Sequence, residues 1–166
     1  IGHLDNPNSI AIHPHSGHLF VTDQNNKRCQ VFTPEGKFVT SFGKTLLRNP
    51  IGIAIHPVTG VVYVADKRVS AFDKHGKFLF FFQPSFTKGG QERTHNTGIT
   101  INPTANEVYV AHATHVSVYD VRGRLLRVLD VEASRVEFYR HGDCLLATSK
   151  SRGALQLVKP DGRVVA

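Results

Sequence analysis

Ten histidines in a chain of 166 residues raise the question of metal chemistry, and His13, His15 and His18 fall together in the run HPHSGH. Zinc takes three or four nitrogen, sulfur or oxygen ligands in a tetrahedron, closed in structural sites and open at one position in catalytic ones. The run does not keep such a set in its copies. NPNSIAIHPHSGHLFVTD (Asn6–Asp23) recurs as NPIGIAIHPVTGVVYVAD (Asn49–Asp66), where only His56 survives, and a third copy has Asn102-Pro103 at that place. The position requires a polar residue ahead of a turn proline, not a ligand. A second candidate set is His112 and His115 in the third copy, with Asp23 and Asp66 holding the place of His112 in the first two. Such residues together could hold a cation. The simpler role of the aspartates is to cap a loop by accepting backbone hydrogen bonds. Nucleophilic catalysis has no signal: no serine lies in G-x-S-x-G, and neither Cys29 nor Cys144 has an identifiable base nearby. Cys29 alternates with Val31 and Cys144 precedes Leu145-Leu146, so both read as small buried hydrophobes. No catalytic residue, metal or cofactor is assigned, and the chain is read as non-enzymatic.

The elements that would position these residues come from a repeat. Four units, approximately 6–43, 49–82, 97–129 and 134–166, follow one another with a period of about 40 residues, and the last is worn. In the first, Ser9–His13, His18–Thr22, Arg28–Thr33 and Lys37–Phe42 are β-favouring runs separated by PHSG, QNNK and PEG. Short runs between Gly, Pro, Asn and Asp turns predict antiparallel hairpins. No window carries a sustained 3.6-residue period, so helices are not expected. Four antiparallel strands per unit, repeated radially, predict an all-β fold, a β-propeller of about four blades.

The pattern GIAIHPVTGVVYVAD…RVSAFDKHGKFLFFF, with NKRCQVF in the first unit, resembles the NHL-repeat family of β-propellers. The resemblance covers nearly the whole chain and is strong in units one and two, clear in three and weak in four. It implies an interaction platform, because NHL modules mostly bind proteins, or single-stranded RNA in some tripartite-motif proteins. A minority of related propellers are enzymes using metal and histidine, so the rival is a propeller hydrolase or lyase with a channel metal on His112, Asp66 or Asp23. The family's usual domain has six blades against four here. Ile1-Gly2 and Arg163–Ala166 both lie in the phase of a fourth strand. Open blade edges then suggest further blades or a partner subunit, and a third reading is a structural subunit of a larger assembly.

Charge separates the two faces of such a fold. Loops joining strands two to three, and four to the next blade, share one face, here called the top. They carry Lys27, Arg28, Lys44, Arg48, Lys67, Arg68, Lys88, Arg93, Lys150 and Arg152 against Asp5, Asp23, Asp66 and Glu92. Nearly all of the net charge of +7 falls there. Clustered cations attract acidic surfaces and phosphate backbones. Together with Asn26, these ten residues form the expected binding surface for an acidic protein or single-stranded RNA. Asn25, Gln91 and His95 lie in the same loops, where Phe86 is the only aromatic.

Two further stretches stand out. The longest connection, Gln83 to His95, contains Gly89-Gly90 but no phosphate-binding P-loop pattern. In KFLFFFQ, Phe80 and Phe82 should point opposite to Leu79 and Phe81, leaving aromatic surface to be covered. The absence of Met, position 1 included, suggests a processed product or a fragment of a longer chain. Without a run of about 18 apolar residues, no membrane association is expected. Two non-equivalent cysteines and no N-x-S/T acceptor point to a reducing, cytoplasmic setting.

Overall fold

The β-favouring runs form fifteen strands among the described residues, and no helix occurs there. A computed structural model of the chain describes residues 2–83, 96–139, 143–149 and 153–165. It divides into two compact units, Ile1–Gln83 and Pro84–Ala166.

The first unit holds two blades. Strands β1 (Pro7–Ile12), β2 (Leu19–Asp23), β3 (Arg28–Phe32) and β4 (Phe38–Phe42) make one antiparallel sheet in chain order. Strands β5 (Gly52–Ile55), β6 (Val62–Ala65), β7 (Val69–Phe72) and β8 (Phe78–Phe82) make the next. In the second unit, β9 (Asn96–Asn102), β10 (Glu107–His112), β11 (His115–Asp120) and β12 (Leu125–Leu129) repeat the order. Strands β13 (Arg135–Tyr139), β14 (Cys144–Ser149) and β15 (Ala154–Val158) form the last sheet. Its fourth position begins with an antiparallel bridge from Val158 to Val164, and the Val165 N–H donates to the Leu157 carbonyl at 2.8 Å. The chain thus ends in the phase of a fourth strand, as its repeat implies.

Turn chemistry explains why these hairpins recur. His13 Nδ1 accepts from the N–H groups of His15 and Ser16 at 3.4 and 3.3 Å. His56 Nδ1 accepts from Val58 and Thr59, both at 3.3 Å. Asn102 Oδ1 does the same for Thr104 and Ala105 at 3.1 Å. A side-chain acceptor ahead of proline is what the first hairpin needs, and imidazole or amide serves equally. The hairpin between third and fourth strands uses Asp73, Asp120 and Asp161 in the same way. A left-handed glycine follows in each blade, with φ of 80°, 81°, 84° and 93° at Gly36, Gly76, Gly123 and Gly162. The register shifts beside it are bulges, the usual partner of a left-handed residue in such turns.

Neither sheet of a unit is buried by itself. In the first unit Phe20, Cys29 and Val31 of one blade pack against Ile53, Val62, Val64 and Phe72 of the next, with Leu47 of the linker between them. The Thr22 hydroxyl crosses the join and donates to the Ile51 carbonyl at 3.0 Å. In the second unit Tyr109, Ala111 and Val118 meet Val136, Phe138 and Leu145 over Val131 and Ala133. Phe138 N–H donates to the Thr100 hydroxyl at 3.1 Å. On β8 the expected alternation holds: Leu79 and Phe81 are exposed while Phe82 is buried. The guanidinium of Arg68 lies 4.1 Å from the centre of the Phe81 ring and covers part of it.

Phe72 is fully buried between the two sheets and packs against Phe42, with ring centres 4.9 Å apart and planes tilted by 56°. Phe72→Ala is expected to cost about 3–5 kcal/mol in urea denaturation. Val39→Ser on the exposed outer strand should stay within about 0.5 kcal/mol.

Candidate functional site

Strand β2 runs one residue further than its alternation suggests, to Asp23, and this sets the geometry of the loops beyond it. Asp23 lies opposite Arg28 in the ladder and is completely buried. A buried carboxylate needs donors on every lone pair. Asp23 accepts from the Asp5 N–H at 2.8 Å, Arg28 Nε at 2.9 Å and Gln30 Nε2 at 2.8 Å. Asn26 Nδ2 reaches both of its oxygens at 3.0 Å. Burial pushes this carboxyl up, and the donors outweigh it and hold the group below the ordinary aspartate value. Arg28 and Gln30 also donate to the His3 carbonyl at 2.9 and 2.8 Å, which fastens the incoming chain to the blade.

Asp66 repeats the device in the second blade. It accepts from the N–H groups of Arg48, Asn49 and Lys67 at 2.6, 3.0 and 2.7 Å. Both aspartates are therefore loop caps, the simpler of their two expected roles. Between them Gln24 ties the loops together. Its oxygen accepts from Asn6 and Asn8, and its nitrogen donates to Asn49 at 2.6 Å. This bridge joins the β2–β3 loop of the first blade to the linker into the second.

The expected cationic surface thereby separates into held and free groups. Arg28 is held by Asp23, Asn26 is spent on the same carboxylate, and Arg68 lies on Phe81. Lys27, Lys44, Arg48 and Lys67 are exposed. Lys27 adopts a left-handed φ of 55° in its turn, so its side chain projects from a fixed backbone. Lys88, Arg93, Lys150 and Arg152, with Phe86 and the rest of the connection 84–95, lie outside the described residues. The amide bridge through Gln24 was not legible beforehand. Its only signal was the paired asparagines Asn6 and Asn49 at equivalent positions ahead of proline.

In the second unit His112 takes the place of the capping aspartate. It faces His115 across the β10–β11 ladder, with ring centres 4.4 Å apart and planes 27° from parallel. Both rings are buried. His115 Nδ1 lies 3.1 Å from the Thr114 hydroxyl. Among the described residues neither nitrogen of His112 has a hydrogen-bond partner. Burial, assisted by His115, lowers its pKa to about 4. Among the described residues no group of three or more His, Cys, Asp or Glu side chains converges as metal ligands. At the other end of β10, Arg127 forks onto Glu107 at 2.6 and 2.9 Å, reaches the Tyr109 hydroxyl at 3.0 Å and donates to the Pro160 carbonyl at 3.0 Å. That network pins blade three to the last hairpin, and residue order alone did not signal it. Burial also raises the Cys29 thiol far above the ordinary range and leaves it inert.

No protein-family model and no curated protein sequence matches the chain. Solved structures do. A chain of the nidogen–laminin complex matches with a TM-score of 0.83 and 20% identity, over 98% of this chain and 63% of that one. The hydrazine synthase of Kuenenia stuttgartiensis matches with a TM-score of 0.78 and 21% identity, over 98% of this chain and 49% of that one. The WD40 repeats of RRP9 match with a TM-score of 0.80 and 13% identity, over 99% and 52%. These likenesses, with the blade-by-blade strand order, make the fold an all-β propeller. The chain spans about half to three fifths of the length of the solved chains it matches.

Asp23→Ala strands the Arg28 guanidinium and the Asp5 N–H, and should destabilise the chain by about 3 kcal/mol in urea. His112 keeps its proton off in the folded state until pH falls to about 4, whereas the unfolded residue takes one up at 6.5. Its contribution is complete above pH 6.5 and is lost progressively as pH falls from there towards 4, on the order of 3 kcal/mol in all. Thermal unfolding followed against pH should show this loss, and His112→Gln should flatten the profile across that window.

Proposed function

We propose that the chain is a non-enzymatic, NHL-like interaction module whose ligand is an acidic segment of another protein, held at the loops of the first unit. The observation that carries this reading is the sorting of the cations by Asp23 and Gln24. Lys27, Lys44, Arg48 and Lys67 stay exposed while the backbone beneath them is fixed by buried acceptors and the Gln24–Asn49 bridge. Charges presented on a rigid base lose less entropy on binding than charges on a floppy loop. Lys27, Lys44 and Lys67 act as compact point charges and Arg48 as a planar fork, and both kinds pair with carboxylates. The described loops 24–27, 43–51 and 66–68 contain no aromatic residue to stack a base, and single-stranded RNA recognition depends on such platforms. The structural likeness to a chain of the nidogen–laminin complex also favours a protein partner.

The test compares a fluorescent polyglutamate peptide with an oligouridylate of similar length, by polarisation at several salt concentrations. Binding to polyglutamate should weaken with salt, and Lys27→Glu with Lys67→Glu should reduce it about tenfold, or ~1.4 kcal/mol. Unchanged affinity in that double variant would sink the site. Tighter binding of the oligouridylate, with a steep dependence on log salt, would replace the protein reading by RNA.

A further inference from the structure

Each blade has two apolar faces, and the joins inside the units show how they meet. In the first unit β1, β2 and β3 present Ala11, Phe20, Thr22, Cys29 and Val31 to the following blade, which answers with Ile53 and Ile55 of β5. One face is therefore small, aromatic and threonine-bearing, and the other is an isoleucine pair on the first strand.

Two such faces are left without cover, one on the first blade and one on the last. On β1, Ile10 and Ile12 stand at the register positions of Ile53 and Ile55, opposite Val21 and Leu19 as those lie opposite Val64 and Val62. Yet Ile10 is 57% and Ile12 64% exposed, against 5% for Ile53. On the last blade, Leu155 pairs with Thr148 as Cys29 pairs with Thr22. Leu155 is 63% exposed where Cys29 is 0%, and Thr148 is exposed where Thr22 is buried. Leu146 stands in the place of Phe20 and is only half-buried, and Tyr139 is exposed beside it. Among the described residues the charges on this face, Arg135 and Glu137, have opposite signs and cancel.

We infer that the occupant of each open face is a second copy of this chain. The Ile10–Ile12 face of one copy packs on the Leu146–Thr148–Leu155 face of another, reproducing between chains the join that buries Ile53 within one. The chain carries both halves of a single kind of interface, one in its first blade and one in its last, and leaves both in water. Complementary patches at different places on one molecule give heterologous, head-to-tail association. Exposed apolar sheet faces of this kind are rare in chains that stay alone. The β1–β5 join also supplies the template for the polar contact: Thr148 holds the place of Thr22, whose hydroxyl reaches a backbone carbonyl of the facing blade. Two copies have, besides, about the chain length of the solved hydrazine synthase and WD40 propellers.

Sedimentation velocity of the 166-residue chain from about 5 to about 200 µM tests this, a span that brackets micromolar self-affinity. Concentration-dependent association is expected for the wild type. Ile12→Asp and Leu155→Asp, both at exposed sites, should each leave a folded monomer by circular dichroism. If either charge disturbs folding, Ile12→Ser and Leu155→Ser take their place. An equimolar mixture of the two variants should associate again, because it joins an intact Leu155 face to an intact Ile12 face. A wild type that stays monomeric at the highest concentration overturns the proposal and assigns the faces to some other sheet. Variants that associate like the wild type, or a mixture that stays monomeric, overturn it as well.

Discussion

A four-stranded sheet with apolar side chains on both faces cannot bury itself. Most of what this chain does follows from that constraint. The central strands β2, β3, β6, β7, β10 and β11 are buried along most of their length, as strands between packed layers must be. Each sheet therefore needs a neighbour on either side, and within each unit one join meets half of that need. Phe72 and Ile53 disappear into one join, and Phe138 and Val136 into the other. The residues left over, Ile10 and Ile12 in the first blade and Leu155 in the last, measure what remains unmet.

The polar groups obey a parallel rule. Asp23 sits at the end of a buried strand, where water cannot reach it, so the loop must supply its donors. That one requirement fixes the incoming chain, recruits Arg28 and Asn26 to structural work, and turns Lys27 outwards. Asp66 organises the second linker by the same logic with backbone donors alone. A basic loop in this fold is thus two populations of cations, one neutralising the scaffold and one exposed to water. The surface charge available for recognition is smaller than the number of Lys and Arg residues indicates.

His112 shows what happens when the repeat substitutes the cap. A neutral imidazole offers one acceptor nitrogen where a carboxylate offers two oxygens. The ring turns to stack on His115 instead, and its hydrogen-bonding capacity goes unused among the described residues. The outcome is a buried pair in which His112 stays neutral, and the cost of protonating it ties the second unit's stability to pH. In the first hairpin the exchange of His for Asn at position 102 is harmless, because that site needs only one acceptor.

The repeat, its strands and its turn residues were legible from residue order because they rest on local chemistry: alternation at period two, Pro and Gly at fixed offsets, an acceptor ahead of each turn. His56 as a turn residue and Asp66 as a cap come from comparing one copy with another, and the alternation along KFLFFFQ from the two-residue period of a strand. Residue order could also place Arg28, Asn26 and Arg68 on loops, but not say that Asp23 and Phe81 hold them. Those contacts depend on which strand end dips below water and which ring a guanidinium can reach. The Gln24–Asn49 bridge and the Arg127–Glu107–Tyr109–Pro160 network join residues far apart in the chain, and only the packing of sheets brings them together. Identical isoleucines make the same point: Ile10 and Ile53 are equivalent in sequence, and only tertiary structure decides that one is buried and the other left in water. Periodicity states which side of a strand is apolar, whereas burial requires a second surface that no single strand contains.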